Sequence, residues 1–211
     1  MSLYHNQGMK SRVPWKAIIV STLFLLLGFI VNYYATSYAD VRASNYVEDI
    51  VLSNVPTFNL DGSFVIGPIV FWIIISVFIL QMPKKIPFVF DATALLLLIR
   101  SGFISLTHFG PFPSHMVISG DFFHLFSTGA DLFFSGHTAV PYLLALIFWD
   151  HLWLRRFCLV SAIFFGVIVL LAHVHYSIDV AAAFFITYSI YHIAVRWFKK
   201  DLALFKEAAL V

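Results

Sequence analysis

Six apolar stretches, each long enough to cross a lipid bilayer, constrain the fold of this chain more than any other feature. Crossing the hydrocarbon core of a membrane takes about 17 to 25 residues of apolar helix. Only 11% of the residues are charged, whereas a soluble domain carries about 25%. We therefore predict an all-α integral membrane six-helix bundle, a single transmembrane domain over residues 1–211. Its spans are residues 17–35, 64–82, 86–106, 132–149, 157–173 and 177–195.

The distribution of charge predicts how these spans are oriented. The segments on one side of the membrane carry the cations Lys10, Arg12, Lys16, Lys84, Lys85, Arg155, Arg156, Arg196, Lys199, Lys200 and Lys206. The opposite side carries Asp40, Glu48, Asp49, Asp61 and Asp121, with Arg42 as its cation. Because cytoplasmic segments are enriched in Lys and Arg, we expect both termini in the cytoplasm. The basic tail is then a topology signal, and we expect no nucleic-acid partner. The first apolar stretch is interpreted as a retained span, because it is long for a signal peptide.

Three polar clusters, far apart in sequence, fall at the same depth in this topology. The third span ends near residues 100–107, the fourth begins at residues 135–138, and residues 173–179 join the fifth to the sixth. All three would lie at the outer ends of the helices. Convergence of polar groups at one end of an apolar bundle predicts a functional site there.

The residues of these clusters suit phosphoryl transfer. Residues 135–138 open a helix, so that their backbone N–H groups can bind phosphate oxygens. Arg100 offers a planar charged fork for two more oxygens. His175 and Asp179 are four apart, which on a helix places them on one face, where the carboxylate can orient the imidazole. His175 could attack phosphorus while His137 protonates the departing oxygen.

A zinc site is the rival interpretation. His137, His173, His175 and Asp179 include enough ligand types for that metal. On a helix His173 and His175 would diverge, although a loop there could bring them together. His173 is more simply a hydrogen-bonding residue of the bundle. We therefore predict no metal and no cofactor.

Two sequence motifs carry a family resemblance. The runs Asp131-Leu-Phe-Phe-Ser-Gly-His-Thr138 and Leu170-Leu-Ala-His-Val-His-Tyr-Ser-Ile-Asp-Val180, with the segment beginning at Arg100, resemble the sphingomyelin synthase family, a branch of the phosphatidic acid phosphatase type 2 superfamily. The similarity covers about residues 95–195. It implies a catalytic triad of His137, His175 and Asp179 on the external or lumenal face. We assign Asp131 and Tyr176, from the same motifs, to the substrate-binding set with Arg100, Ser135 and Gly136.

The resemblance also implies a reaction and its partners. Phosphocholine or phosphoethanolamine would move from a glycerophospholipid donor to a ceramide-like lipid alcohol, through a phosphohistidine and with release of diacylglycerol. The chain departs from the superfamily in lacking an arginine before His175 and an evident lysine-containing first motif. A lipid phosphate phosphatase or phospholipase C, with water as acceptor, is the alternative, and a non-catalytic lipid-binding protein is another. The location would be a bacterial inner membrane, or the Golgi or plasma membrane of a eukaryote.

Overall fold

A computed structural model shows a bundle of α-helices and describes residues 13–116 and 132–207. Within these two ranges every regular element is helical, so the all-α prediction is confirmed for them. The helices are α1 (Trp15–Arg42), α2 (Asp61–Leu80), α3 (Ile86–Leu106), α4 (Gly136–Ile147), α5 (Leu152–Leu171), α6 (Ser177–Trp197) and α7 (Lys199–Glu207). A short 3-10 turn, Pro83–Lys85, precedes α3.

Five of the helices are long and apolar enough to cross a membrane, namely α1, α2, α3 with its preceding turn, α5 and α6. The fourth predicted span is shorter than expected. It forms α4 over only 12 residues, about 18 Å of helix, because residues 132–135 are not helical. The carbonyl groups of Leu132 and Phe134 accept hydrogen bonds from the side chains of His175 and Arg100. The count of six spans therefore stays a prediction. The sequence predicts only a basic tail after the sixth span, whereas residues Lys199–Glu207 form the helix α7.

The six apolar helices alternate in direction, so that the bundle has two chemically different ends. Ring contacts join Phe205 to Phe88 and Phe148 at one end, and a backbone hydrogen bond joins Ser44 to His108 at the other. The first is called the basic end, since the loops and helix ends there carry Lys84, Lys85, Arg155, Arg156 and Arg196. The second is called the site end. The orientation of these two ends across a membrane remains a prediction.

Small residues allow the helices to pack closely. A Cβ atom on Gly28 of α1 would lie 3.3 Å from the backbone of Ala94 in α3, and one on Gly166 of α5 would lie 3.1 Å from Val180 in α6. Close approach through small residues is typical of helix packing in membranes. The outer faces of α1 and α2 expose apolar side chains such as Ile19, Leu23 and Ile73, as expected for an integral membrane protein.

Candidate active site

A cavity of about 220 Å³ near the site end brings together residues from all three polar clusters. Arg100 of α3, Gly136 and His137 of α4, and His175 before α6 line it. The remaining lining is apolar and comes from α1 to α5: Phe29, Pro68, Phe71, Trp72, Leu96, Leu97, Val140, Pro141 and Phe165. Two imidazoles and a guanidinium thus share one pocket whose walls are hydrocarbon.

His175 has a defined tautomer in this arrangement. Its Nδ1 atom lies 2.9 Å from the carbonyl oxygen of Leu132. Because a carbonyl oxygen can only accept a hydrogen bond, Nδ1 carries the proton and Nε2 carries the lone pair. Asp179 is close as well, with Oδ2 at 3.5 Å from Nδ1. The sequence predicted one helical face for this pair, which is wrong in detail, since α6 begins only at Ser177.

Asp179 lies at the third residue of α6 and is fully buried. Its Oδ2 atom accepts a hydrogen bond of 2.8 Å from the backbone N–H of Tyr176, and the positive end of the helix dipole favours a carboxylate there. Its backbone oxygen accepts a hydrogen bond of 3.2 Å from the amide of Ser135. Asp179 therefore joins the start of α6 to the start of α4, where His137 lies.

The start of α4 offers amide donors to an anion. Gly136 and His137 are its first two residues, and the first amides of a helix point outward along its axis, where the helix dipole favours an anion. The amide of Ser135 donates to the backbone oxygen of Asp179, so the predicted phosphate-binding segment is shortened to residues 136–138. Ser135 itself is buried, and its hydroxyl has no hydrogen-bond partner among the described residues.

Arg100 is buried and held in place rather than extended to the surface. Its Nε atom donates to the carbonyl oxygen of Phe134 over 2.8 Å, and Nη1 donates to Oδ1 of Asn32 over 3.2 Å. A Cβ atom on Gly136 would be 3.5 Å from Nε, so the guanidinium lies beside the first amide of α4. Asn32 is a further residue of the site that the motifs do not indicate, although a lone amide within an apolar span is a signal of function.

The other predicted site residues lie away from the cavity or outside the described ranges. The hydroxyl of Tyr176 donates to the carbonyl oxygen of Gly110 and accepts from the amide of Val47, so this side chain is an anchor behind the pocket. Asp131 is not among the described residues. Within the described residues no three His, Cys, Asp or Glu side chains group as metal ligands.

His173 belongs to a separate polar cluster. Its Nδ1 atom lies 2.7 Å from the hydroxyl of Ser114 and 3.0 Å from that of Thr57. Its backbone has a positive φ of 54°, which turns the chain between α5 and α6. This position separates His173 from His137 and His175, its partners in the zinc interpretation.

A second cavity, of about 450 Å³, adjoins the first. The two share Phe29 of α1 and Trp72 of α2. The second cavity continues toward the basic end as far as Val89, which is 11 residues from Arg100 and thus about 16 Å away along α3. Its lining is almost wholly apolar: Leu25, Phe29, Trp72, Ser76, Ile79, Leu80, Val89, Phe90, Thr93 and Leu144. A hydrocarbon chain attached to a group in the first cavity could lie in the second.

The fold and site define a helical membrane protein with two histidines, an arginine and a helix N-terminus around an apolar-walled pocket. Residues 128–196 match the family model described as PAP2 superfamily C-terminal. This segment is 69 residues of the 211 and contains His137, His175 and Asp179, but neither Arg100 nor Asn32. The match supports the phosphatidic acid phosphatase type 2 superfamily and a lipid phosphatase or phosphotransferase type of function. The chain matches no curated protein and no solved structure.

Proposed function

We propose that this protein is a membrane-embedded lipid head-group phosphotransferase. It moves phosphocholine or phosphoethanolamine from a glycerophospholipid to ceramide or a similar lipid alcohol and releases diacylglycerol. One observation carries the proposal: a pocket with Arg100, His137 and His175 adjoins an apolar cavity suited to a lipid chain, and the two share Phe29 and Trp72. This combination of a charged pocket and an apolar cavity fits a phosphodiester that belongs to a membrane lipid.

The first half-reaction forms a phosphohistidine. The lone pair of His175 Nε2 attacks phosphorus, the bond from phosphorus to the diacylglycerol oxygen breaks, and His137 gives that oxygen a proton. Arg100 and the first amides of α4 stabilise the charge on the remaining phosphate oxygens. The phosphorylated imidazole is cationic because Nδ1 keeps its proton, and it is stabilised by the carbonyl of Leu132 at 2.9 Å and by Asp179 at 3.5 Å.

The second half-reaction transfers the head group to the acceptor. His137, now neutral, takes the proton of the acceptor hydroxyl, whose oxygen attacks phosphorus and releases His175. Both steps balance without a metal or another cofactor. The distribution of charged residues supports a site on the external or lumenal face, in the membrane locations given above.

The same first half-reaction would serve a lipid phosphate phosphatase or phospholipase C in which water is the acceptor. The family match favours this alternative as much as the transferase, because it supports either type of function. The two differ only in what reaches His137 after the phosphohistidine has formed.

The test supplies the purified protein with fluorescent ceramide and either phosphatidylcholine or phosphatidylethanolamine in mixed micelles. A labelled phospholipid together with diacylglycerol supports the transferase. Free phosphocholine or phosphoethanolamine without labelled phospholipid would establish the hydrolase instead. Failure to release either head group, at the level of the His175→Ala variant, would overturn both the transferase and the phospholipase C.

A further inference from the structure

The segment between α1 and α2, residues 43–60, lies outside every motif discussed above and is here called the strap. It is tied to the ends of α3 and α5. The backbone N–H and the hydroxyl of Ser44 both donate to the carbonyl oxygen of His108, over 2.9 and 2.6 Å, and the amide of Phe58 donates to Leu171 over 2.9 Å. A Cβ atom on Gly110 would collide with the carbonyl oxygen of Ser44. The strap is therefore closely packed on the site end.

Asp49, in the middle of the strap, joins it to α6. Its Oδ2 atom accepts two hydrogen bonds from Ser177, one of 2.7 Å from the backbone N–H and one of 2.8 Å from the hydroxyl. Its Oδ1 atom accepts from the amides of Val51 and Leu52, over 2.8 and 3.1 Å. Only 8% of Asp49 is exposed, so one buried carboxylate organises the local turn and the helix start together.

The charge of Asp49 suits this position. Burial acts to raise the pKa of the carboxyl, but the hydrogen bonds from Ser177, Leu52 and Val51 outweigh it and hold the pKa below its ordinary value. Asp49 is thus ionised at neutral pH and lies at the positive end of the α6 dipole. Capping of a helix is usually local, whereas here the acceptor comes from 128 residues earlier in the chain.

Ser177 lies midway in sequence between His175 and Asp179, two residues from each. The contact of 3.5 Å between His175 Nδ1 and Asp179 Oδ2 joins the residues on either side of the helix start that Asp49 binds. If the start of α6 shifts, the imidazole and the carboxylate shift relative to each other and to Leu132. A displacement of about 1 Å at a reacting group can cost about a hundredfold in rate.

We propose that Asp49 is a positioning residue for the head-group chemistry: by binding Ser177 it fixes the start of α6 and, through it, the alignment of His175 with Asp179. This inference rests on the proposed function. It assigns a role in that reaction to the strap, which neither the family match nor the sequence motifs include.

The test uses Asp49→Asn, which is nearly isosteric. The side-chain oxygen of the asparagine can still accept hydrogen bonds from the amides of Val51 and Leu52. Its NH₂ group, however, would face the N–H of Ser177, and two donors cannot form a hydrogen bond. The matched control is Glu48→Gln, which neutralises the exposed carboxylate next to it in the strap. We expect kcat for head-group release to fall about ten- to a hundredfold in Asp49→Asn, with KM within about twofold of wild type. The control should keep wild-type values, and equal kcat in the two variants would overturn the proposal.

Hydrogen exchange gives a readout that does not depend on turnover. The amides of residues 176–180 should exchange faster in Asp49→Asn than in wild type and Glu48→Gln, while those of α3 should be unchanged. Unaltered exchange at residues 176–180 would refute the coupling. If wild-type protein releases no head group at all, the proposed function fails, and the exchange experiment still decides whether Asp49 holds α6.

Ser177→Ala is the second variant, and it decides the matter if Asp49→Asn does not fold. It removes the hydroxyl donor but leaves the backbone donor, so we expect a smaller fall in kcat, about threefold. The double variant should be little worse than Asp49→Asn alone, because the two residues act through one contact. Fully additive losses, or an unchanged kcat in Ser177→Ala, would contradict the proposal.

Discussion

The Nδ1 atom of His175 lies 2.9 Å from the carbonyl oxygen of Leu132, and this contact decides which nitrogen of the ring can attack. Asp179, at 3.5 Å from the same atom, contributes its negative charge more than it orients the ring. The backbone before α4 therefore orients the proposed nucleophile, while in the proposed reaction the carboxylate on α6 would stabilise the phosphorylated imidazole. Two elements from distant parts of the sequence share a task that the resemblance assigns to a triad.

His175→Ala and Asp179→Asn should each remove nearly all head-group release. In His175→Ala, which lacks the nucleophile, the rate of release should fall about a thousandfold. Asp179→Asn acts by withdrawing the charge that stabilises the phosphorylated imidazole. The measurement is the initial rate of phosphocholine or phosphoethanolamine release in detergent micelles, with size-exclusion profiles to check folding. Asp150→Asn, an exposed carboxylate near the basic end, is the control. Normal turnover in His175→Ala would contradict the assignment of His175 as the nucleophile.

Arg100→Lys should lower kcat/KM about ten- to a hundredfold although the charge is kept. Lysine is a point charge and cannot reproduce the geometry in which Nε binds Phe134 while Nη1 binds Asn32. Arg156→Lys, at an exposed arginine of α5, should have no effect. Equal activity in the two variants would mean that Arg100 acts by charge alone.

Much of the fold follows from the sequence because a bilayer sets a length for apolar helices, and five helices satisfy it. The start of α4 could not be predicted in this way. Residues 132–135 stay non-helical while the carbonyl groups of Leu132 and Phe134 accept hydrogen bonds from His175 and Arg100, which lie before α6 and in α3. The contacts of Asn32 and Asp49 could not be predicted from the sequence for a similar reason. Their partners lie 68 and 128 residues away in sequence, beyond any local pattern.

Ser76→Phe should shift the preference of the enzyme toward lipids with shorter chains. Ser76 lines the second cavity on α2, and a phenyl ring there would fill space that a long chain needs. The measurement compares rates on long-chain and short-chain phosphatidylcholine. Val77→Phe is the matched control, since Val77 is about half exposed (51%) and does not line that cavity. An equal loss on both substrates would indicate a general packing defect and contradict a role in chain binding.

Activity should survive EDTA, and added zinc should not raise it. The reason lies in the positions of the candidate ligands: His173 lies with Ser114 and Thr57 and does not line the cavity of His137 and His175, and within the described residues no three His, Cys, Asp or Glu side chains group as metal ligands. The four residues considered for zinc are thus divided between two sites. The measurement is head-group release after dialysis against chelator. Loss of activity that zinc restores would revive the metal interpretation.

The stabilising effect of Asp49 should disappear in acid. Because its pKa in the folded protein is below the ordinary value of 3.8, the ionised carboxylate stabilises the fold fully above that value, and this contribution is lost as the pH falls through the lower folded pKa. Asp49→Asn carries no such charge, so its melting temperature in detergent should lie several degrees below that of wild type at neutral pH. The difference in melting temperature should narrow below pH 3.8. The wild-type carboxylate then becomes protonated and loses the charge that the variant lacks at every pH. Melting curves of both proteins across this range provide the measurement, and a gap that stays constant with pH would show that the hydrogen bonds to Ser177 do not depend on the charge of Asp49.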